Sequence, residues 1–289
     1  MKLGVIFPQT EIGSDPGAVR EFALTVEGLG YNHLLVYDHV LGADPGHYLG
    51  WNGPYTHQDM FHEPFVLFGF LAGLTEKIEL VTGVVILPQR QTSLVAKQAA
   101  EVDVLTNGRL RLGVGIGWNK VEYDALGETF ENRGKRIEEQ VELMRCLWTE
   151  PVVTFSGRWN QVTAAGLNPL PVQRPIPVWM GGGADPVIER IARIADGWFP
   201  QFQPNSEGEE KLAKMRSFAE AFGRDPATIG VEGRVSTKEG TLDQWYSLIE
   251  GWQGLGATHV GINTMGSGFK SVDEHTEVLR QLKEGFKAS

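Results

Sequence analysis

The stretch from Ile78 to Ile116, IELVTGVVILPQRQTSLVAKQAAEVDVLTNGRLRLGVGI, contains the repeating unit on which the fold prediction rests. It begins and ends with short apolar runs, Ile78–Ile86 and Leu110–Ile116, which do not alternate strictly between apolar and polar residues. Such continuous hydrophobic runs are typical of parallel strands that are covered on both faces. The segment between them has the length of a helix, so the stretch predicts one strand–helix–strand unit.

The same alternation of short apolar runs and longer helical patterns extends in both directions along the chain. Helical stripes with i, i+3, i+4, i+7 spacing occur around residues 19–29, 137–148 and 272–286. The eight predicted strands are Leu3–Phe7, Leu34–Tyr37, Ile78–Ile86, Leu110–Ile116, Pro177–Gly181, Gly197–Pro200, Ile229–Val235 and His259–Asn263. Repeated βαβ units allow an open doubly wound sheet or a closed barrel, and eight units in 289 residues favour a (β/α)8 TIM barrel. We expect residues 1–289 to form one such domain.

Two long segments interrupt this repeat. Leu41–His62 is rich in Gly, Pro, Trp, Tyr and His, and Val152–Pro175 contains FSGRWN followed by the proline-rich LNPLPVQRPIP. Loops of this length inside a compact domain are usually lids, binding loops or strand excursions. We therefore expect both to be insertions into the barrel, and Leu41–His62 to act as a partial lid.

Composition restricts the partners of the protein. The net charge of −10 and the absence of basic runs argue against nucleic acid, whose phosphates attract basic surfaces. No apolar run approaches the roughly 18 residues that a membrane helix needs, and the N-terminal residues are typical of a strand rather than a signal peptide. With the lone Cys146 excluding an internal disulfide, we expect a cytoplasmic protein with a small-molecule substrate.

The active site of a TIM barrel lies at the C-terminal ends of its strands, where strand two ends in Asp38 and His39. An imidazole titrates near neutral pH, so this pair can supply a proton donor and an acceptor; alternatively, the histidine only serves the turn. The other histidines match no zinc-binding spacing, and we expect no metal site.

Glycines mark two further strand ends. Gly83 interrupts strand three, which indicates a bulge, a close ligand approach or simple barrel packing. Gly113, Gly115 and Gly117 have G-x-G-x-G spacing, which differs from the Rossmann fingerprint and would clear space for a planar ring over the barrel mouth.

Strand five ends in Gly181, Gly182 and Gly183 immediately before a helical pattern. Successive backbone N–H groups and a helix N-terminus together form an anion or phosphate site. The alternative is a flexible turn in which Asp185 is the N-cap and Pro186 the first helical residue. Both interpretations are compatible with each other.

Several of these segments together resemble the luciferase-like flavin superfamily, and most closely its branch that uses the deazaflavin coenzyme F420. The matching segments, in chain order, are YDH, F-x-EP-F, TGVVILPQR, AKQAAEVDVLTNGRLRLGVGIGWN, RGKRIEEQVELMRCLWTE, PVWMGGG and ADGWFP. The match is dense over residues 1–200 and thinner beyond them, where GATHVGIN is the suggestive segment.

The resemblance implies roles for particular residues. It places Asp38 and His39 beside the isoalloxazine-like ring, with His39 donating a proton or polarising the ring. It also implies a bulge at Gly83 and Val84, joined by a non-proline cis peptide, that supports one ring face.

Further cofactor contacts are implied by the same resemblance. Trp118, Asn119 and Glu122 would border the ring and its side chain, and Gly181–Gly183 would lie near the cofactor phosphate. A homodimer is also implied, and a flavin or F420 reductase is a candidate functional partner.

The activity implied is hydride transfer between coenzyme F420 and a small organic substrate. The nearest rival function is that of a reduced-FMN monooxygenase, which uses oxygen and a separate flavin reductase. The residues are also compatible with a non-redox barrel enzyme or a silent cofactor-binding protein. Arg90 and Arg109 could meet the acidic tail of F420, or form ordinary ion pairs.

Overall fold

Parallel strands close into a barrel in the computed structural model, which describes residues 1–288. The strands are β1 (Lys2–Ile6), β2 (His33–Val36), β3 (Glu79–Thr82), β4 (Val85–Ile86), β5 (Leu110–Gly115), β6 (Val153–Ser156), β7 (Gln161–Ala165), β8 (Val178–Gly181), β9 (Gly197–Phe199), β10 (Gly230–Ser236) and β11 (His259–Asn263). The barrel runs in the order β3-β2-β1-β11-β10-β9-β8-β5, and β5 pairs back with β3 and β4. This confirms the predicted (β/α)8 TIM barrel.

The bulge and the cis peptide predicted at Gly83 and Val84 are confirmed, whereas the predicted extent of the third barrel strand is wrong. The expected continuous run Ile78–Ile86 is divided into β3 and β4 by Gly83 and Val84, whose peptide bond is cis. The seven other predicted strands agree with the structure to within one residue at each end. The break lies near the C-terminal end of this strand, where the barrel opens to the site.

Helices follow the strands around the outside of the barrel. They are α1 (Pro16–Gly28), α2 (Pro64–Ala72), α3 (Thr92–Leu105), α4 (Lys120–Ala125), α5 (Arg133–Thr149), α6 (Asp185–Ile194), α7 (Ser206–Ala221), α8 (Leu242–Gly254) and α9 (Val272–Ala288). Asp15 caps α1 by accepting a hydrogen bond from the Ala18 amide at 3.1 Å. Trp148 on α5 and Trp252 on α8 are fully buried, so the helices contribute large aromatic side chains to the core.

The two insertions take different forms. Val152–Pro175 contains the antiparallel hairpin β6–β7, which pairs with no barrel strand among the described residues. Leu41–His62 contains turns but neither helix nor strand. Within residues 1–288, no helix has both the length and the apolar character to cross a bilayer.

Candidate active site at the barrel mouth

A cavity of about 660 Å³ opens at the C-terminal ends of the barrel strands. It is lined by Ile6, Leu35, Tyr37, Asp38, His39, Pro54, Tyr55, Gly83, Val84, Ile86, Gly115, Ile116, Gly117, Trp118, Gly181, Gly182, Gly183, Ala184, Val187, Phe199, Pro200, Gln201, Glu232, Gly233, Arg234 and Gly261. The size lies in the range of small-molecule and cofactor sites. Its position is the one at which TIM-barrel enzymes hold their substrates.

His39 is held at the cavity wall by a buried carboxylate. Its Nδ1 lies 3.3 Å from Oε1 of Glu122, on α4. The same oxygen accepts hydrogen bonds from the amides of Val40 and Leu41, at 2.8 and 3.2 Å. Glu122 therefore fixes both the imidazole and the backbone that follows it.

The ionisation of Glu122 determines which His39 nitrogen is free. Burial alone would raise the pKa of Glu122, but the hydrogen bond and charge of His39, with further bonds from Leu41 and Gln89, hold that pKa below its ordinary value. An ionised carboxylate only accepts, so Nδ1 of His39 donates to it. Nε2 has no hydrogen-bond partner within residues 1–288, and it can accept or release a proton.

An aromatic wall surrounds the His39 ring. The ring centroids of Phe61, Tyr55 and Trp118 lie 4.7, 5.1 and 5.7 Å from that of His39. Trp51 packs on Trp118 at 5.6 Å, which lays the insertion 41–62 along the edge of the cavity. This position agrees with the expected partial lid.

Asp38 is buried behind His39, and both of its carboxylate oxygens accept hydrogen bonds. Its Oδ1 accepts a hydrogen bond from Arg90 at 2.8 Å, and its Oδ2 accepts one from the Ile86 amide at 3.1 Å. Arg90 also bonds Glu63 at 2.8 Å. Burial raises the pKa of Asp38 even though Arg90 opposes that shift. These contacts favour a positioning role for Asp38, which holds β4 beside the end of β2.

Glycines leave room around Val84, the second residue of the bulge. A Cβ added to Gly115 would lie 2.5 Å from Val84 Cγ2, and one added to Gly181 would lie 3.3 Å from Cγ1. A Cβ at Gly83 would lie 2.2 Å from the Leu35 side chain. A side chain at Gly115 would displace Val84, and one at Gly83 would displace Leu35, so these glycines let Val84 lie at the cavity wall.

The glycine loop Gly181–Gly183 lines the same cavity. Gly182 has a φ of +128°, and its carbonyl accepts a hydrogen bond from Trp198 Nε1 at 2.7 Å. The helix that follows begins at Asp185, with Ala184 as its N-cap. The prediction of Asp185 as the N-cap is therefore wrong by one residue: its carboxylate instead pairs with Lys214 of α7.

A buried charge network forms the floor of the cavity. Glu232 accepts hydrogen bonds from Arg111 at 2.6 Å and from His33 at 2.8 Å. The Arg111 guanidinium lies 4.3 Å from the ring centroid of Trp179. Burial, together with the nearby Arg111 charge, lowers the pKa of His259 beneath this network to about 3. Ion pairs thus fill the barrel interior below the mouth.

The structure separates the predicted site residues into two groups. Those that line the cavity are Asp38, His39, Gly83, Val84, Gly115, Trp118, Gly181, Gly182 and Gly183. Asn119 and Glu122 lie behind its wall: Asn119 caps α4 and donates to the Leu41 carbonyl at 3.3 Å. Their roles as direct cofactor contacts remain predictions, and the contacts present are those of positioning residues.

The two arginines proposed to meet the acidic tail of F420 lie at opposite ends of the barrel. Arg90 lies beside the mouth, paired with Asp38 and Glu63. Arg109 precedes β5, at the opposite end of the barrel, and donates to the carbonyls of Thr75 and Thr106 at 2.7 and 2.8 Å. Arg109 therefore cannot reach a ligand in the cavity, and that hypothesis is wrong.

Sequence reasoning missed five polar lining residues: Tyr37, Tyr55, Gln201, Glu232 and Arg234. Tyr37 stands in the quoted YDH segment, and Arg234 lies near the end of the seventh predicted strand, two residues after Glu232. Because successive strand residues point to opposite faces, Glu232 and Arg234 lie on the same face of that strand. This spacing was the sequence signal that could have indicated Arg234 as a lining residue.

Comparison with known proteins places this barrel in a family. The model of the luciferase-like monooxygenase family matches residues 1–284. An uncharacterized protein of Mycobacterium bovis is 36% identical over 164 residues, which are 57% of this chain and 56% of that protein. The FMNH(2)-dependent dimethylsulfone monooxygenase of Pseudomonas putida is 29% identical over 185 residues, covering 63% of this chain and 50% of that enzyme. The matches thus span little more than half the length of these curated relatives.

Among solved structures, the coenzyme F420-dependent tetrahydromethanopterin reductase from Methanopyrus kandleri superposes with a TM-score of 0.77. The superposition covers 97% of each chain at 16% sequence identity. At that identity the likeness concerns the fold.

Proposed function

This chain belongs to the luciferase-like monooxygenase family, and we propose that it is an oxidoreductase that moves hydride between coenzyme F420 and a small organic substrate. The observation that carries the proposal is the convergence of His39, the Gly83–Val84 bulge and the Gly181–Gly183 loop on one cavity. These elements are far apart in the sequence and meet only at the barrel mouth. A proton-transfer group beside a flat, glycine-lined space suits two-electron chemistry on a planar cofactor.

The tricyclic deazaflavin ring would lie against Val84 in this cavity. Val84 would support one face of the ring, since the absence of side chains at Gly115 and Gly181 leaves room for the Val84 side chain at the cavity wall. The backbone of Gly181–Gly183 would hold the phosphate at the start of α6. When bound, F420 supplies a carbon that accepts or donates hydride.

His39 would manage the proton that accompanies hydride transfer. Reduction of a carbonyl leaves an oxygen that must gain a proton, and oxidation of an alcohol requires that a proton be removed. Glu122 orients Nδ1 and leaves Nε2 at the cavity wall for this task. The aromatic rings around His39 would restrict water at the reacting atoms.

A reduced-FMN monooxygenase is the second candidate function. It is favoured by the 29% identical relative from Pseudomonas putida, whose name states FMNH(2) dependence. F420 is favoured by the reductase from Methanopyrus kandleri, whose fold matches along nearly the whole chain. The two functions differ in their need for oxygen.

An oxygen-controlled assay tests the proposal. The purified protein is incubated with oxidised F420 and a panel of secondary alcohols under argon, and the loss of the F420 chromophore is followed. We expect turnover without oxygen. Substrate oxidation that needs FMNH2 and oxygen, with no reaction of F420 in either direction, would establish the monooxygenase instead.

A charge placed in the glycine loop should weaken cofactor binding. Gly182 is unsuitable, because its φ of +128° would strain any side chain, whereas a Cβ at Gly183 meets nothing within 4 Å. We expect Gly183→Glu to raise the cofactor Kd by about tenfold or more, since like charges at an interface repel strongly. Gly183→Ala is the neutral control and should bind as the wild type does. Equal Kd values for both variants in a fluorescence titration would move the phosphate elsewhere.

We also propose that the protein is a homodimer formed through α2 and α3. Val66 and Phe70 on α2, and Leu94 and Leu105 on α3, are 73%, 43%, 52% and 55% exposed, and the two helices pack together. Large exposed apolar patches often mark association sites. Light scattering should give twice the chain mass of 31.9 kDa.

The paired change Val66→Lys and Phe70→Glu should convert this dimer to a monomer. Leu49→Lys, on the insertion 41–62 where Leu49 is 91% exposed, should leave the mass unchanged. A monomeric wild type, or a dimer that survives the paired change, would contradict this surface as the interface.

A further inference from the structure

Arg234 points toward the cavity because of its place on β10. Successive strand residues alternate between the two faces of the barrel wall. A Cβ at Gly233 would meet the ring of Trp252, which belongs to the surrounding helix α8, at 2.2 Å. Glu232 and Arg234 therefore lie on the inner face, and both line the cavity. Glu232 forms the floor, and Arg234 lies one pleat higher, toward the mouth.

Not every charged side chain that lines the cavity has an oppositely charged partner in the part of the chain that the structure describes. Three ionic side chains line it: Asp38, Glu232 and Arg234. Asp38 is paired with Arg90, and Glu232 is paired with Arg111. Within residues 1–288, Arg234 takes part in no ion pair. In this range of residues, the cavity mouth therefore holds a guanidinium without a carboxylate partner, although the chain as a whole is acidic, with a net charge of −10.

Tyrosine hydroxyls accompany this guanidinium. Arg234 Nη1 donates to the hydroxyl of Tyr37 at 3.3 Å, its one side-chain hydrogen bond among the described residues. Burial raises the pKa of Tyr55 to about 12, with Tyr37 adding to the shift and Arg234 opposing it, so the Tyr55 phenol remains a donor at neutral pH. The remaining N–H groups of Arg234 form a planar fork that matches a carboxylate.

We propose that Arg234 and Tyr37 form an anion subsite that holds the carboxylate of an acidic substrate in the barrel mouth. His39 and its aromatic neighbour Tyr55 line the same cavity, and Tyr55 lies near Arg234, so the subsite selects molecules with an apolar or aromatic body and one acidic end. The assignment of this anion as the substrate rests on the proposed function. The binding site itself does not depend on it.

Isothermal titration with benzoate and benzamide tests the subsite, because these probes share size and shape and differ in charge. Both are titrated against the cofactor-free protein and against protein saturated with its cofactor. We expect benzoate to bind at least tenfold more tightly than benzamide. Arg234→Gln should abolish that preference, whereas Arg20→Gln, an exposed arginine on α1, changes the net charge equally and should preserve it.

The possible outcomes distinguish failure of the anion subsite from failure of the proposed redox function. Equal binding of benzoate and benzamide to the wild type, or a preference that survives in Arg234→Gln, would overturn the subsite. A weaker cofactor titration in Arg234→Gln with unchanged benzoate binding would assign Arg234 to the cofactor and also overturn it. Benzoate binding to the cofactor-free protein is measured without turnover, so it stands or fails independently of the redox proposal. Melting curves of the variants establish that each is folded.

Discussion

Substitution of His39 by alanine is expected to lower kcat by about 10²- to 10⁴-fold while the cofactor Kd stays within about threefold, because a general acid or base typically contributes that much. The imidazole is held by Glu122 with Nε2 free, so its removal takes away the proton-transfer group. The cavity wall keeps Tyr55 and Trp118, so the binding space remains largely intact. Steady-state kinetics with a parallel cofactor titration separates the two effects.

Two further variants define the role of His39 more closely. His47→Ala removes a histidine of the insertion 41–62 that does not line the cavity and should leave kcat unchanged. Glu122→Gln removes the carboxylate that holds Nδ1 of His39, so we expect it to lower kcat less than His39→Ala does and to leave the cofactor Kd within about threefold. Wild-type rates in His39→Ala would remove this residue from the mechanism.

The second large effect concerns stability. We expect Arg111→Met to lower the free energy of unfolding by about 3–5 kcal/mol, because it removes the guanidinium that pairs with the buried Glu232. Arg111 and Glu232 side chains are 3% and 2% exposed. For a chain of this size the loss corresponds to roughly 10 °C in Tm. Urea unfolding at neutral pH measures it.

The pH dependence of that loss follows from Glu232. Burial alone would raise the pKa of Glu232, but attraction to His33 and Arg111 lowers it from 4.5 to about 2. The stabilisation is therefore complete above pH 4.5 and is lost as the pH falls toward 2. The difference between wild type and Arg111→Met should shrink over that window.

Two controls accompany the Arg111 variant. Lys97→Met breaks an exposed pair with Glu101 and should cost less than about 0.5 kcal/mol. Adding Glu232→Leu to Arg111→Met should recover much of the loss, because an apolar pair replaces the unpaired charge. If the free energy of unfolding of Arg111→Met lies within about 1 kcal/mol of the wild-type value, the Arg111–Glu232 pair does not stabilise the fold as proposed.

The barrel was predictable because its strands are buried on both faces. Leu3–Phe7 and Leu34–Tyr37 stand out as apolar runs with little competing signal. Gly83 indicated a break in the third strand, but the sequence did not show where pairing would stop, since Val84 and Val85 continue the hydrophobic pattern through it. A Cβ at Gly83 would lie 2.2 Å from the Leu35 side chain of the neighbouring strand β2, a long-range contact that the local sequence does not show.

The site was predictable only in part, for a similar reason. His39 follows from its position at a strand end, and the structure adds that Glu122, 83 residues later, orients it. Asp38 looked equally suited to chemistry, but its oxygens are taken by Arg90 and Ile86, distant partners that no local pattern indicates. Long-range pairing therefore decides which polar residue remains free to react.

The most direct test of the central claim is a parallel fluorescence-quench titration of the purified protein with coenzyme F420 and FMN. Trp118 lines the proposed ring site and Trp51 packs on it, so binding there should quench tryptophan emission. The account predicts saturable binding of F420 that is tighter than that of FMN and is weakened in Gly183→Glu. Preference for FMN would contradict the deazaflavin proposal, and binding of neither would contradict the redox function.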